Sequence, residues 1–197
     1  MAQTQNAAPG VAAADPIMPD AMTSGAVAAP DFTNAMGNAA TGVNVVTTDG
    51  PGGRFGVTIS AMSSLSAAPP SLLACIHRQS PVAAAIAANG AFCVNVLGSA
   101  QAALSDIFAG RTPMAPDGEY RHGDRFRLGD WRRLATGAPV LEGAVASFDC
   151  RLAEAHAFGT HRMFVGLVIA VREGGGAPLI YHNRAYGRPI SPRTPPC

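Results

Sequence analysis

The chain alternates short β-rich runs with small, alanine-rich or glycine-rich breaks. G-V-N-V-V-T-T (42–48) and R-F-G-V-T-I-S-A (54–61) flank D-G-P-G-G. Two β-branched runs around a glycine-rich turn predict a hairpin. S-A-M-S-S-L-S ends at Pro69-Pro70, and S-L-L-A-C-I-H (71–77) reads as a buried strand. Ser80, with Pro81 in the first helical position, opens an alanine-rich helix from Pro81 to Ala88 that Asn89-Gly90 stops. A strand A-F-C-V-N-V-L (91–97) leads to a second helix near Gln101 to Ala109. A polar stretch rich in Pro, Gly and charge, Arg111 to Asp130, then makes an excursion on the surface. Strands follow at about 144–154, 161–172 and 178–182, with turns at Phe158-Gly159 and Gly174 to Gly176. Upstream, Asp31 to Ala40 reads as a short helix with Asp31 as N-cap; Phe32, Ala35, Met36 and Ala39 share one side, suited to capping a barrel end. Six or more antiparallel strands with two or three short helices predict a mainly β fold with some α, closed or nearly closed into a barrel that hides its sheet edges.

Composition bounds the picture. Residues 1–30 are dominated by small residues and proline, with Met, Ser and isolated acids and no period, a flexible tail; residues 31–190 make one domain, and 191–197 a second tail. Of the 197 residues, 48% are hydrophobic and only 14% charged, sparse for a monomer's surface, so a homo-oligomer is expected. A net charge of +1 gathers neither nucleic acid nor an anionic membrane, which leaves small-molecule chemistry. The chain has no lysine, which excludes a P-loop lysine and a Schiff base. The four cysteines Cys75, Cys93, Cys150 and Cys197 form no C-x-x-C pair, and the first three sit in apolar runs as core residues. With neither a signal-peptide pattern nor an apolar run long enough to cross a bilayer, the expected location is the cytoplasm. Gly50, Gly52 and Gly56 miss the G-x-G-x-x-G spacing and precede a strand, so they read as turn glycines and no Rossmann domain is expected.

Five motifs in order carry a resemblance over roughly residues 31–188: G-V-T-I-S-A-M-S-S-L-S-A-A-P-P-S-L-L-A-C-I-H-R-Q-S, F-C-V-N-V-L, A-V-A-S-F-D-C-R-L, G-T-H-R-M-F-V-G-L-V and P-L-I-Y-H-N-R-A-Y-G. In these the chain resembles the short-chain flavin reductases, whose domain is an FMN-binding split β-barrel with Greek-key-like connections. Its nearest likeness is to the reductase components of two-component flavin-dependent monooxygenases, such as those acting on hydroxyphenylacetate, chlorophenols or pyrimidines. The resemblance implies a homodimer that passes a hydride from NADH to FMN or FAD and supplies diffusible reduced flavin to a separate monooxygenase. NADH is favoured over NADPH because no arginine pair is plainly placed for a 2′-phosphate, although Arg162, Arg184 and Arg188 are available.

The same resemblance assigns the site. A flavin nucleotide needs donors for its phosphate, a slot for its ring and partners along the ring's polar edge. The hydroxyls of Thr58, Ser60, Ser63, Ser64 and Ser66, with small neighbours that let backbone N–H groups approach, suit a phosphate, and Arg78 can add a charge-assisted fork. Carried over residue by residue, the ribityl and phosphate wrap falls on Thr58, Ser60, Ala61, Met62, Ser64, His77, Arg78 and Ser80. Thr47 and Thr48 match the position beside the isoalloxazine edge. His161 in G-T-H matches the histidine of the family's G-D-H motif and is the candidate catalytic residue receiving the nicotinamide; Thr160 stands where aspartate is common, which puts the orientation of the imidazole in question. Tyr181, His182, Arg184 and Tyr186 match the segment that closes over NADH. The alternatives are a non-catalytic flavin carrier or sensor and a barrel that serves only as an interaction subunit; neither needs His161 or the tyrosine-bearing C-terminal motif.

Overall fold

The computed structural model describes residues 24–111 and 122–190. Most of the expected N-terminal tail, the middle of the surface excursion and residues 191–197 therefore lie outside the described residues. In chain order the elements are α1 (Ala29–Gly37), β1 (Thr41–Gly42), β2 (Asn44–Thr48), β3 (Phe55–Ile59), β4 (Met62–Ala67), β5 (Pro70–His77), α2 (Pro81–Asn89), β6 (Ala91–Val96), α3 (Ala102–Phe108), a 3₁₀ turn (His122–Arg127), β7 (Trp131–Arg133), β8 (Pro139–Leu141), β9 (Ala146–Phe158), β10 (His161–Glu173), β11 (Ile180–His182) and β12 (Ala185–Gly187).

Seven strands form one antiparallel sheet in the order β3-β2-β6-β9-β10-β5-β4. Its two edge strands are consecutive in sequence, joined only by Ser60-Ala61. β3 pairs with β2 and β4 pairs with β5, so one strand bent at Ser60-Ala61 supplies both edges and closes the sheet. The Cys75 N–H donates to Ala61 O at 3.0 Å across the seam. Edge backbone groups find partners this way rather than lying open to another chain. A small sheet, β1-β11-β12, brings the C-terminal hairpin against the barrel's flank.

Inward positions of β5 are Leu72, Ala74 and Ile76. They join Val46, Phe92, Phe164 and the α2 residues Val82, Ala83 and Ile86 in the main core. α2 forms as the sequence predicts: Pro81 pre-sets the first turn, and Gly90 at φ +67° ends the helix with its N–H on Ile86 O at 2.9 Å. A second core under α3 gathers Val43, Val45, Leu97, Phe108, Leu141 and Leu179. Gly56 permits this packing, because a Cβ there would stand 2.5 Å from the Phe108 ring. Between the cores lies Asn95, fully buried. It donates to Val45 O at 3.1 Å and accepts from the Leu141 N–H at 2.8 Å and the Ser147 hydroxyl at 2.9 Å, fastening β8 to the barrel.

Two expectations are corrected. The first helix starts at Ala29, with Ala28 as N-cap, because Pro30 fits the first turn and leaves Asp31 inside it. It does not cap a barrel end: none of its residues is buried, and Phe32 and Met36 are 57% and 50% exposed. The polar run after Ser60, read only as a segment ending at Pro69-Pro70, is strand β4, held by its ladder to β5. Among the described residues no helix is long and apolar enough to cross a membrane.

Candidate active site

The bend that closes the barrel also opens a groove. One depression of about 270 Å³ is lined by Val57 to Ala61, Cys75 to His77, Ser80 and His161. A second, of about 150 Å³, is lined by Val43, Thr58 to Ser60, Ser105, Ala109, Arg111, Tyr181 and Tyr186. They share Thr58, Ile59 and Ser60, so they adjoin at the bend as a two-part groove.

At one end, the β5–β10 register sets His77 opposite His161. Cross-strand partners point to the same face, and the two imidazoles meet edge to face with centroids 5.3 Å apart. The Gln79 N–H donates to His77 Nδ1 at 3.3 Å, which puts the proton of the neutral ring on Nε2. Thr160 Oγ1 lies 2.9 Å from His161 Nδ1. The threonine hydroxyl thus holds the ring where an aspartate is common, and the Arg78 N–H on Thr160 O at 3.0 Å pins the turn that carries both. Cys75 lines the same end; burial pushes its thiol pKa up, which disfavours the thiolate.

At the other end, Tyr181 and Tyr186 face each other across β11 and β12 with ring centroids 5.5 Å apart. Their turn needs left-handed backbone at Asn183 (φ 46°) and Arg184 (φ 62°), the first a residue that tolerates it readily. Tyr186 donates its hydroxyl hydrogen to Asp106 Oδ1 at 2.7 Å and lies 3.0 Å from Ser105 Oγ. Burial, with Asp106 beside it, holds this phenol above its ordinary pKa.

The structure thus brings Thr58, Ser60, Ala61, His77, Ser80, His161, Tyr181 and Tyr186 to one groove. Ser80 makes no side-chain capping bond to α2. Thr58 donates its hydroxyl to Ser105 O at 2.7 Å, so it offers a ligand an acceptor and is no phosphate donor. The other residues fall elsewhere. Thr47 and Thr48 are fully buried; their hydroxyls donate to Pro139 O at 2.5 Å and Ala91 O at 2.7 Å, which fixes strands rather than reading a ring edge. Past the bend, Met62, Ser64 and Ser66 line a separate apolar cavity with Leu72, Phe148, Val168 and Val171, and the exposed Ser63 hydroxyl donates to Ser64 O. Arg78, His182 and Arg184 are exposed and do not line the groove. Sequence reasoning missed Ser105, Asp106 and Arg111. The available signal was Gly110, a helix-ending glycine that places the next residue beside the helix's last turn.

The flavin reductase like domain matches residues 36–189. Over 180 residues the chain is 44% identical to the FMN reductase (NADH) RutF of Variovorax paradoxus strain S110, covering 91% of each protein. It superposes on BorF, the flavin reductase component of a bacterial two-component tryptophan halogenase, with a TM-score of 0.71 and 29% identity over 82% of this chain and 98% of that one. For the NADH:FAD oxidoreductase SgcE6 of Streptomyces globisporus C-1027 the TM-score is 0.72 at 25% identity, over 87% and 95%. With a domain match over most of its length and a relative this similar end to end, the chain belongs to the flavin reductase like family.

Proposed function

We propose that the chain is an NADH-dependent flavin reductase that takes FMN or FAD into the groove as a substrate and releases it reduced to a separate monooxygenase. The observation that carries this reading is the single groove with an oriented imidazole pair at one end, small and hydroxyl-bearing residues along its floor and a tyrosine pair at the other. When both substrates are bound, hydride passes from nicotinamide C4 to flavin N5 at a ring separation of about 3–3.5 Å, a transfer that needs orientation and dryness more than a protein base.

The residues present suit that task. Ala61 and Ser60 keep the bend slim enough for a flat ring to approach the backbone, and Ser60 and Ser80 offer hydroxyls to ribityl oxygens. His161, held by Thr160, presents a fixed edge to the incoming nicotinamide. Hydride transfer asks for neither paired carboxylates nor a metal ion. An open groove also suits a product that must leave. The exposed Phe32, Met36, Leu65 and Val171 support a dimer as the working unit.

The test is NADH oxidation with FMN, FAD and riboflavin in turn. Turnover well above that of free flavin is expected, and His161→Ala should lower kcat/KM for NADH. A protein that oxidises NADH no faster than free flavin refutes the reading in favour of a carrier. Gel filtration after turnover should leave the chain colourless; flavin retained one to one would refute release. A light-scattering mass near that of one 20.1 kDa chain would refute the dimer.

A further inference from the structure

Arg111 is the one arginine that lines the groove among the described residues, and it stands at the tyrosine end, away from the imidazole pair. Its placement is built in. Gly110, at φ +71°, ends α3 with its N–H on Ile107 O at 3.0 Å, and the Arg111 N–H returns to Asp106 O at 2.9 Å. Those two bonds are the reciprocal pair of a Schellman motif, which fixes Arg111 directly after the glycine. In that position a hydrophobic residue often packs back on the last turn. Here the side chain instead turns across the groove, its guanidinium 5.4 Å from the Tyr181 ring centroid and 3.6 Å from Asp106 Oδ1. Asp106 also accepts the Tyr186 hydroxyl, so its charge is shared. Tyr181 takes a hydrogen bond from this guanidinium as well, and its five N–H donors leave others for a further partner.

We propose that Arg111 is the phosphate anchor of this groove: it binds the phosphate ester of a nucleotide substrate, replacing the Arg78 fork that the sequence suggests, and so lets the enzyme distinguish phosphorylated from phosphate-free substrates. Arg78 does not line the groove, and its backbone N–H is spent on Thr160. The groove therefore has a polarity, with imidazoles where a ring reacts and a fixed positive charge where an anionic tail ends. Two substrates carry such a tail, the flavin nucleotide and the reduced nicotinamide nucleotide. The inference rests on the reductase reading.

The experiment compares wild type, Arg111→Ala and Arg111→Gln in two arms. One takes the ratio of kcat/KM for FMN to that for riboflavin; the other takes the ratio for NADH to that for reduced nicotinamide riboside. Loss of one charge-assisted hydrogen bond predicts a fall of about tenfold in one ratio. The arm that responds names the source of the phosphate. If both ratios stay within a factor of two in folded variants, the proposal is overturned. Should neither variant fold, inorganic pyrophosphate tested on wild type decides: competition with the phosphorylated substrate but not with its phosphate-free counterpart supports the anchor, and no competition overturns it. If wild type fails to oxidise NADH, the reductase reading falls separately. Fluorescence titration of FMN against riboflavin still reads Arg111 without turnover: a ratio lowered in the variants supports the anchor, and an unchanged one overturns it.

Discussion

Replacing Asn95 by leucine keeps the branch at Cγ while removing a buried hub, so the lost polar contacts dominate its cost and the bulkier methyl groups add to it. The change strands the Leu141 N–H and the Ser147 hydroxyl, whose bonds to Asn95 Oδ1 are 2.8 and 2.9 Å, and removes the donor to Val45 O. A buried donor left without a partner costs about 1–3 kcal/mol, and the hydroxyl can partly recover by rotating. The expected loss is about 3–5 kcal/mol, a large part of the roughly 5–15 kcal/mol that holds a domain together. For a chain of this size that corresponds to a fall in Tm of about 10–15 °C. Thermal melts and urea unfolding followed by circular dichroism on Asn95→Leu, Ser147→Ala and the double variant measure it. Because Ser147 needs Asn95, the double variant should lose less than the sum of the two. A Tm loss under about 3 °C with an unchanged urea slope would show that β8 is held by packing and that the network contributes little.

Thr160→Val removes the hydroxyl beside His161 Nδ1 and should lower kcat/KM for NADH roughly two- to tenfold, with recovery in Thr160→Ser; equal activity in both would refute the orienting role. Gly56→Ala places a Cβ against Phe108 and should cost about 1–3 kcal/mol in denaturant melts, with loosening of α3. Burial pushes the Cys150 thiol from 9.0 up to about 12, so the unfolded chain sheds its proton first as pH rises. This stabilisation is complete below pH 9.0 and is lost as pH rises toward 12, at about 1.4 kcal/mol per pH unit. The alkaline stability slope should flatten in Cys150→Ala; an unchanged slope would contradict it.

Much of the barrel was legible because its strands carry their own pattern. The β2–β3 hairpin and α2 follow from β-branched runs, turn glycines and a Pro81–Gly90 frame that no tertiary contact overrides. β4 was not legible as a strand: its serines show no apolar alternation, and its ladder depends on β5, a partner that only the fold supplies. Thr47 and Thr48 misled for a related reason. A hydroxyl at a strand end reads as available, yet whether a carbonyl such as Pro139 O already accepts from it depends on a strand about ninety residues away. Arg111 opened a polar stretch and looked like any surface arginine. Only the Schellman turn after α3, together with the return of β11 and β12, puts it over Tyr181 and into the groove.

The seam and the candidate site are the same piece of chain, and this constrains both. A barrel closed by two separate edge strands could bury its seam under side chains. Here one strand turns at Ser60-Ala61 from β2 to β5, and the outer side of that turn stays shallow because bulky residues would push the two halves apart. The shallow side lies between β10, which brings His161 through its register with His77, and the β11–β12 hairpin, which brings Tyr181 and Tyr186. Closure and substrate access therefore make one demand on residues 60 and 61, small side chains, and a larger residue there should fill the groove and strain the seam together.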